Sequence, residues 1–330
     1  MARIGIVGVS GYGGGELLRL VASHPSFELG YVAGESSAGQ KLVQRFPWLS
    51  GRREADLIIE AFEPERIDVE LLFVSLPTGK SREPLARLPK DVRIIDVGGD
   101  HRFVDGWTYG LTELPGQREK IRNATRLANP GCYPAAALLA LAPLLKEHLV
   151  EPQGIVIDAK SGVTGAGRGG ASAFGYAETN EDLFAYGLSA HPHVAEIEAA
   201  LANLSGAKAS VAFTPHLAPM SRGLLATCYA RPSRATTTKD LVEIAKALYR
   251  DEPFVRIVES SSGAGPHTGW ATGSNFAFVS YAVNAQTGLV IALGAIDNLG
   301  KGAAGQALQN ANLMMKQPET AGLAGLPVRP

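Results

Sequence analysis

The chain opens on an apolar strand, a glycine-rich turn and a helix, and this arrangement limits its fold more than any other feature. The segment RIGIVGV (3–9) reads as a buried parallel strand, and the turn after it spaces glycines as Gly8-x-x-Gly11-x-x-Gly14. Ser10 stands where the commonest dinucleotide fingerprint has its second glycine. Such glycines let a backbone approach a pyrophosphate, whose charge the helix N-terminus stabilises. The segment predicts a dinucleotide-binding turn, although a merely tight strand-to-helix connection has the same pattern.

The next strand, 27–34, ends where a unit of this kind meets the adenine ribose. Ser36 and Ser37 are suited to a 2′-phosphate, whereas Glu35 is suited to a free 2′-hydroxyl. These residues therefore leave NADP and NAD both open. We expect the cofactor to contact the following residues: Gly8, Ser10, Gly11, Tyr12, Gly13, Gly34, Ser36, Ser37 and Asn298.

Strands and helices continue to alternate in the first half of the chain. Apolar runs at 70–77 and 92–99 read as strands, with a short helix at 80–88 between them and a loop at 104–120 after them. This alternation predicts a parallel, doubly wound sheet, which binds ligands at the carboxyl ends of its strands. Arg102 follows one such end and is suited to a carboxylate or a phosphate, although an arginine on a loop is more often solvated.

The second half of the chain has more strands and fewer helices between them. We expect strands at 154–162, 208–215, 223–232, 253–260, 275–285 and 287–297, and helices from about His193, at 237–251 and at 302–315. The chain is therefore predicted to be α/β, with an N-terminal Rossmann-type parallel sheet and an α+β domain with a largely antiparallel sheet. The predicted domains are 1–131, joined by the C-terminal helix in 300–330, and 132–299.

Composition and charge exclude several kinds of protein. A chain of 330 residues with 45% hydrophobic and 19% charged residues suggests two globular domains. Its net charge of −1 gives no attraction to nucleic acid, and no apolar run is long enough to span a membrane. Two cysteines, Cys132 and Cys228, make no disulfide framework, so we expect a reducing cytoplasm.

Cys132 lies in the hexapeptide NPGCYP (129–134), just before an apolar segment that reads as a helix over 135–149. Pro134 suits the first helical position, because its missing N–H would have no intrahelical partner there. A thiol just before a helix N-terminus is expected to ionise readily and to be nucleophilic. The alternative is a small buried cysteine in a tight Pro-Gly turn. Cys228 lies inside an apolar strand, and we interpret it as unreactive packing.

Two histidines, His191 and His193, stand in an H-x-H arrangement. A metal site needs further ligands at a recognisable spacing, and we find none, so no metal is expected. A packed or capping imidazole is the structural alternative. We favour a proton-transferring histidine that acts with Cys132, since acyl transfer at a thiol requires a nearby imidazole.

The chain resembles the N-acetyl-γ-glutamyl-phosphate reductase family, of the aspartate-semialdehyde-dehydrogenase-like superfamily. The resemblance runs nearly end to end and rests on these segments: GVSGYGGGELLRL, NPGCYPAAALLAL, SGVTGAGRGG, HPHVAEI, FTPHLAPMSRG and IDNLGKGAAGQALQN. It implies an NADPH-dependent enzyme of arginine biosynthesis that reduces N-acetyl-L-glutamyl 5-phosphate through a thioester. It also implies that the second domain is the catalytic and dimerisation domain, in a homodimer or homotetramer.

Carried over residue by residue, the resemblance places the nucleophile on Cys132 and the acid/base on His193, with His191 and Glu196 in support. The usual family signature is H-R-H-x-P-E-I, so Pro192 replaces an arginine and Ala195 a proline. The expected substrate-binding residues are Arg102, Ser161 and Arg168.

Two other functions are compatible with the sequence. The same chemistry acts on aspartyl phosphate or on the carrier-linked aminoadipate phosphate of lysine biosynthesis. A nicotinamide-binding module without catalysis would bind the cofactor but would have no use for an activated thiol.

Overall fold

The structure, a computed structural model, describes residues 1–168, 175–259 and 263–328. The strands are β1 (Ala2–Val7), β2 (Phe27–Ala33), β3 (Leu71–Val74), β4 (Arg93–Asp96), β5 (Thr108–Tyr109), β6 (Arg126–Ala128), β7 (Ile155–Gly162), β8 (Phe184–Ala185), β9 (Val211–Ala218), β10 (Leu224–Ala230), β11 (Val255–Ile257), β12 (Ala277–Val283) and β13 (Val290–Ile296). The α-helices are α1 (Tyr12–Ala22), α2 (Leu42–Arg45), α3 (Arg82–Ala86), α4 (Gln117–Arg122), α5 (Cys132–Lys146), α6 (Tyr176–Thr179), α7 (Pro192–Ser205), α8 (Thr238–Leu248) and α9 (Gly305–Met314). Within these ranges, no helix has the length and apolar character needed to cross a membrane.

The chain forms two compact units. The first consists of Met1–Thr112, Gly116–Pro130 and Ala303–Ala324, and the second consists of Glu113–Pro115, Gly131–Gly302 and the stretch from Gly325. The C-terminal helix α9 therefore belongs to the same unit as the N-terminal sheet.

The first unit is built on a parallel sheet with the strand order β2-β1-β3-β4-β6-β5. Its central strands are continuous apolar runs because both faces are covered, as in Ile4–Val7 and Leu71–Val74, which are fully buried. Helix α9 packs against α1, α4 and β4. The predicted Rossmann-type sheet is confirmed.

The loop predicted at 104–120 was wrong in two places. It contains the edge strand β5, which pairs with β6, and it leads into α4, which begins after Gly116. Strand β5 is only two residues long and α4 only six. Elements this short carry too few residues to show a hydrophobic period.

The second unit is built on a mixed sheet with the strand order β11-β12-β13-β10-β7-β9-β8. Two of its pairings, β11 with β12 and β7 with β9, are parallel. The other four pairings are antiparallel, which confirms the prediction of a largely antiparallel sheet.

Helix α5 is the centre of the second unit and packs against β10, β12, β13, α7 and α8. It begins at Cys132 rather than at Pro134, because extended Gly131 (φ −70°, ψ 156°) is already its N-cap. Pro134 is thus the third helical residue, where a missing N–H is still harmless. The helix also ends earlier than predicted, at Lys146, since His148 has a positive φ of 50°.

Pro143 lies inside α5 and cannot donate a hydrogen bond to the Leu139 carbonyl one turn earlier. The Tyr249 hydroxyl donates to this carbonyl instead, at 2.7 Å. Tyr281 similarly donates to the Ala140 carbonyl at 3.0 Å. Both tyrosines are buried, and the Tyr249 hydroxyl takes the place of the backbone N–H that Pro143 lacks.

Candidate active site

The glycine-rich turn of the first unit connects β1 to α1. Gly8 has a positive φ of 82°, and a Cβ there would collide with the Ser75 carbonyl at the end of β3. A Cβ at Gly14 would collide with the Gly8 carbonyl. Only glycine fits either position, and the turn therefore exposes backbone at the start of α1, where the first helical amides lack intrahelical partners. This cradle fits the pyrophosphate of a dinucleotide.

The end of β2 divides the predicted ribose-binding residues into a buried part and an exposed part. Ser37 is buried and its hydroxyl hydrogen-bonds to the buried Ser10 hydroxyl. Gly34 makes room for this pair, since a Cβ there would lie 2.6 Å from Ser10 Oγ. Glu35 and Ser36 are exposed. Of the three predicted residues, Glu35 and Ser36 are therefore the ones that a ligand can reach from solvent.

A network at the carboxyl ends of β3 and β4 was not foreseen from the sequence. The Asp100 carboxylate accepts hydrogen bonds from the Gly79 amide at 2.5 Å, the Ser81 amide at 2.9 Å and the Ser81 hydroxyl at 2.8 Å. Burial by itself would raise the pKa of Asp100, but these hydrogen bonds hold it below its usual value. Asp100 thus joins the two loops at which a doubly wound sheet binds its ligand.

His101 and Arg102 point to different partners. His101 Nδ1 lies 2.6 Å from the buried Asp96 carboxylate, and its ring stacks on Trp107 with centroids 3.9 Å apart. Arg102 Nε donates to the Asn129 carbonyl at 2.9 Å. Arg102, predicted to bind substrate, therefore also supports the backbone of the segment that leads to Cys132.

Cys132 is the first residue of α5 and is partly exposed, whereas Cys228 lies in the middle of β10 and is fully buried. Burial raises the pKa of the Cys228 thiol well above its ordinary value, so this cysteine is suited to packing. The turn Gly300–Ala304 is π-helical and passes directly beside Cys132. A Cβ at Gly302 would lie only 2.8 Å from Cys132 Cβ, so this glycine lets the turn close against the thiol.

The first turn of α7 lies against the residue that precedes Cys132. Buried Glu196 accepts a hydrogen bond from the Gly131 amide at 2.9 Å. The His193 ring lies against Gly131, where a Cβ would be 2.8 Å from its Cε1 atom and 2.9 Å from its Cδ2 atom. His193 and Glu196, which follow Cys132 by 61 and 64 residues, are thereby brought to the start of the helix that Cys132 begins.

Aromatic rings surround the two histidines. Tyr133 packs edge-on against His191 and His193, with centroids 6.1 and 5.9 Å away, and Phe213 lies 5.1 Å from His191. Tyr186 donates its hydroxyl to Tyr133 at 3.2 Å. Burial is the main cause that raises the pKa of Tyr186, to about 12. The hydrogen bond with Tyr133 lowers this pKa in part, and the nearby Cys132 raises it slightly. Tyr186 therefore stays protonated near Cys132. No sequence pattern indicated that Tyr186 would lie close to the candidate site.

The predicted residues Asn298 and Ser161 are tied to the loop after β7. Asn298 accepts a hydrogen bond from the Gly223 amide at 2.9 Å and donates to Thr164 at 2.8 Å. It thereby holds the 3₁₀ turn Val163–Ala166. Ser161 is buried at the end of β7. Arg168 is exposed after this turn, and residues 169–174 of the glycine-rich segment lie outside the described residues.

Comparison with known proteins identifies the family. A model described as "Semialdehyde dehydrogenase, NAD binding domain" matches residues 3–124, and one described as "Semialdehyde dehydrogenase, dimerisation domain" matches residues 132–298. Proteins named N-acetyl-gamma-glutamyl-phosphate reductase from Bradyrhizobium sp. (strain BTAi1) and Methylobacterium sp. (strain 4-46) are each 59% identical, with 99% of both chains covered. The chain belongs to the N-acetyl-γ-glutamyl-phosphate reductase family. It is therefore an oxidoreductase with an NAD(P)-binding domain, as predicted.

Solved structures agree on the fold at low sequence identity. Aspartate semialdehyde dehydrogenase II from Vibrio cholerae, complexed with ASA, has a TM-score of 0.74 at 16% identity, with 96% of this chain and 98% of that chain covered. The aspartate semialdehyde dehydrogenase with NADP from Candida albicans has a TM-score of 0.75 at 13% identity, with 96% and 99% covered. The chain thus shares its fold with these aspartate semialdehyde dehydrogenases.

Proposed function

We propose that this protein reduces N-acetyl-L-glutamyl 5-phosphate to N-acetyl-L-glutamate 5-semialdehyde and phosphate, in arginine biosynthesis, with NADPH as the reductant. The observation that carries the proposal is the partly exposed Cys132 at the first residue of α5, directly after Gly131, which contacts the His193 ring and the Glu196 carboxylate of α7. The relatives named above carry this activity in their names and match over the full chain.

The reaction begins when the Cys132 thiolate attacks the acyl carbon. A C–S bond forms, the bond from the acyl carbon to the phosphate oxygen breaks, and phosphate leaves with a proton from solvent. The first amides of α5 favour the thiolate. A covalent thioester divides one difficult reduction into two easier steps.

A nicotinamide cofactor bound at the Gly8–Gly14 turn would supply the hydride that reduces the thioester. His193 donates a proton to the carbonyl oxygen as the thiohemiacetal forms on Cys132, and takes it back when the C–S bond breaks. The aldehyde then leaves and the thiolate is regenerated. Tyr186 stays protonated and donates its hydroxyl to Tyr133, the residue after the nucleophile.

We propose that the first unit holds the dinucleotide at Gly8–Gly14 and that the second unit carries the chemistry. The cradle at Gly8 and Gly14 supports this assignment, because a Cβ at either position would collide with the backbone. Among the predicted substrate residues, Arg102 and Arg168 are the cations suited to the carboxylate and phosphate groups. Ser161 is the third predicted substrate residue and contributes a hydroxyl group. A reduced thiol requires a reducing compartment, so we propose a cytoplasmic enzyme. The matched dimerisation domain supports a homodimer or homotetramer.

The proposal is tested by following phosphate-dependent oxidation of N-acetylglutamate semialdehyde spectrophotometrically, with NADP and then with NAD. Cys132→Ser is expected to lower kcat by about 10³-fold or more while the cofactor still binds. Cys228→Ser is the matched control and is expected to retain turnover. Turnover with aspartate semialdehyde or aminoadipate semialdehyde instead would redirect the proposal to another acyl phosphate. Full activity of Cys132→Ser would refute the thioester.

A further inference from the structure

His191 forms the N-cap of α7, a position that histidine seldom occupies. Its ring Nδ1 accepts a hydrogen bond from the His193 amide at 3.2 Å. Its backbone is extended (φ −132°, ψ 132°), as an N-cap residue requires. The bond satisfies one of the amides that a helix start leaves without an intrahelical partner.

Pro192, which replaces the arginine of the usual family signature, prepares this geometry. It is the first residue of α7, where a proline loses no hydrogen bond and has the φ of a helix already. A proline also restricts the residue before it to extended conformations, which is the conformation observed for His191. The backbone of His191 is thus set for capping before its side chain makes any contact.

The capping bond requires a neutral imidazole. An acceptor nitrogen carries no proton, so Nδ1 is bare and the proton of the neutral ring lies on Nε2. Burial lowers the pKa of His191, which favours this neutral form at pH 7. The titratable groups that face it are Tyr133 from α5, Tyr186 from the preceding segment and His193 from α7 itself, and Phe213 from β9 completes the surrounding rings.

We propose that His191 is a positioning residue, which caps α7 through Nδ1 and so holds His193 and Glu196 against the Gly131–Cys132 backbone. The proposal rests on the proposed function for the identity of the reacting residues. It assigns the proton transfer to His193 alone and gives a physical form to the supporting role that the family resemblance implies for His191. The amide that His191 holds belongs to His193, so the cap acts directly on the residue that must be placed.

The test compares two replacements that each keep one property of His191. His191→Asn keeps a side-chain acceptor suited to an N-cap but has no titratable group, whereas His191→Phe keeps an aromatic ring without an acceptor. We expect kcat of His191→Asn to stay within about fivefold of wild type and kcat of His191→Phe to fall by about 10- to 100-fold, because small misplacements of a catalytic group are costly. His193→Asn is the reference for loss of the acid/base.

The pH profile separates positioning from chemistry. His191→Asn is expected to keep the pH-dependent limb of kcat that reports the acid/base, and His193→Asn is expected to lose it. If His191→Asn loses that limb and falls as far as His193→Asn, His191 performs the proton transfer and the proposal is overturned. The proposal is equally overturned if His191→Phe turns over like wild type.

A readout without catalysis distinguishes failure of this proposal from failure of the proposed function. Amide hydrogen exchange at His193 is expected to be faster in His191→Phe than in wild type and close to wild type in His191→Asn. After correction for intrinsic rates, wild-type exchange at His193 is expected to rise as pH falls through the lowered pKa of His191, because protonated His191 cannot accept the bond. Equal exchange in all three proteins would refute the cap, even if the wild type turned over none of the substrates above.

Discussion

Replacing Gly131 with alanine gives the sharpest test of the site. The φ and ψ of Gly131, −70° and 156°, are open to any residue, so an alanine introduces no backbone strain. Its Cβ would, however, lie 2.8 and 2.9 Å from His193 Cε1 and Cδ2, and closer still to Nε2. Carbon atoms pack best at about 3.5–4.0 Å, so the ring has to retreat by about 1 Å.

The retreat has a predictable kinetic cost. A displacement of this size at a catalytic group lowers the rate by roughly 100-fold, which corresponds to about 2.7 kcal/mol of transition-state stabilisation. Tyr133 and His191 pack against the His193 ring, which limits how far it can relax. We therefore expect Gly131→Ala to lose activity while overpacking lowers stability by only about 1–3 kcal/mol.

The assay measures kcat with the semialdehyde substrate, the urea unfolding midpoint, and the rate at which iodoacetamide alkylates Cys132. Gly325→Ala is the matched control, since a Cβ at Gly325 meets nothing within 4 Å. We expect Gly325→Ala to leave kcat, the urea unfolding midpoint and the alkylation rate unchanged. We expect the main effect of Gly131→Ala to be a lower kcat. Wild-type kcat in Gly131→Ala would refute the placement of His193, and so would a kcat loss explained entirely by unfolding.

Three further predictions concern stability and cofactor choice. Tyr249→Phe leaves the buried Leu139 carbonyl without its hydroxyl donor and should lower the free energy of unfolding by about 1–3 kcal/mol. The loss should be smaller in a Pro143→Ala background, which restores a helical N–H for this carbonyl. Equal losses in the two backgrounds would contradict this account. Asp100→Asn should destabilise the protein by about 1–3 kcal/mol at pH 7. Because hydrogen bonds lower the folded-state pKa of Asp100, the wild-type advantage in stability is present above about pH 4 and should disappear as pH falls through that lowered pKa. Acid unfolding curves of the two proteins would show this loss. Glu35→Ser removes an exposed carboxylate at the end of β2 and should lower KM for NADP relative to NAD by about tenfold, whereas an unchanged ratio would place the 2′-phosphate elsewhere.

The elements that the sequence predicted are those with a long or strongly apolar pattern. The buried strands β1 and β3 and the helix α5 are continuous apolar runs, and the glycine spacing before α1 has a single structural explanation. Strand β5 and helix α4 escaped prediction because two and six residues are too few to show a local hydrophobic period.

The sequence proposed residues for the candidate site, and their roles stay predictions, but it did not indicate the contacts between them. The residues Cys132, His193 and Glu196 stand in recognisable motifs. The hydrogen bond from the Gly131 amide to Glu196 joins groups 65 residues apart, and no local pattern encodes it. Asp100 offered a weak signal, as an acidic residue at the carboxyl end of a strand, whereas Tyr186 offered none.

Two side chains near the start of α7 each accept a hydrogen bond from a backbone amide, and these two bonds explain the order of residues in the motif. His191 accepts from the His193 amide, and Glu196 accepts from the Gly131 amide, so each secures the backbone of one reacting residue or of its neighbour. Glu196 lies three residues after His193, which puts both on one face of the helix, toward Gly131. Gly131 then has to be a glycine because the His193 ring occupies the space of its Cβ, and not because the turn needs its flexibility. The glycine in NPGCYP is therefore a requirement of the histidine that lies 62 residues later in the chain.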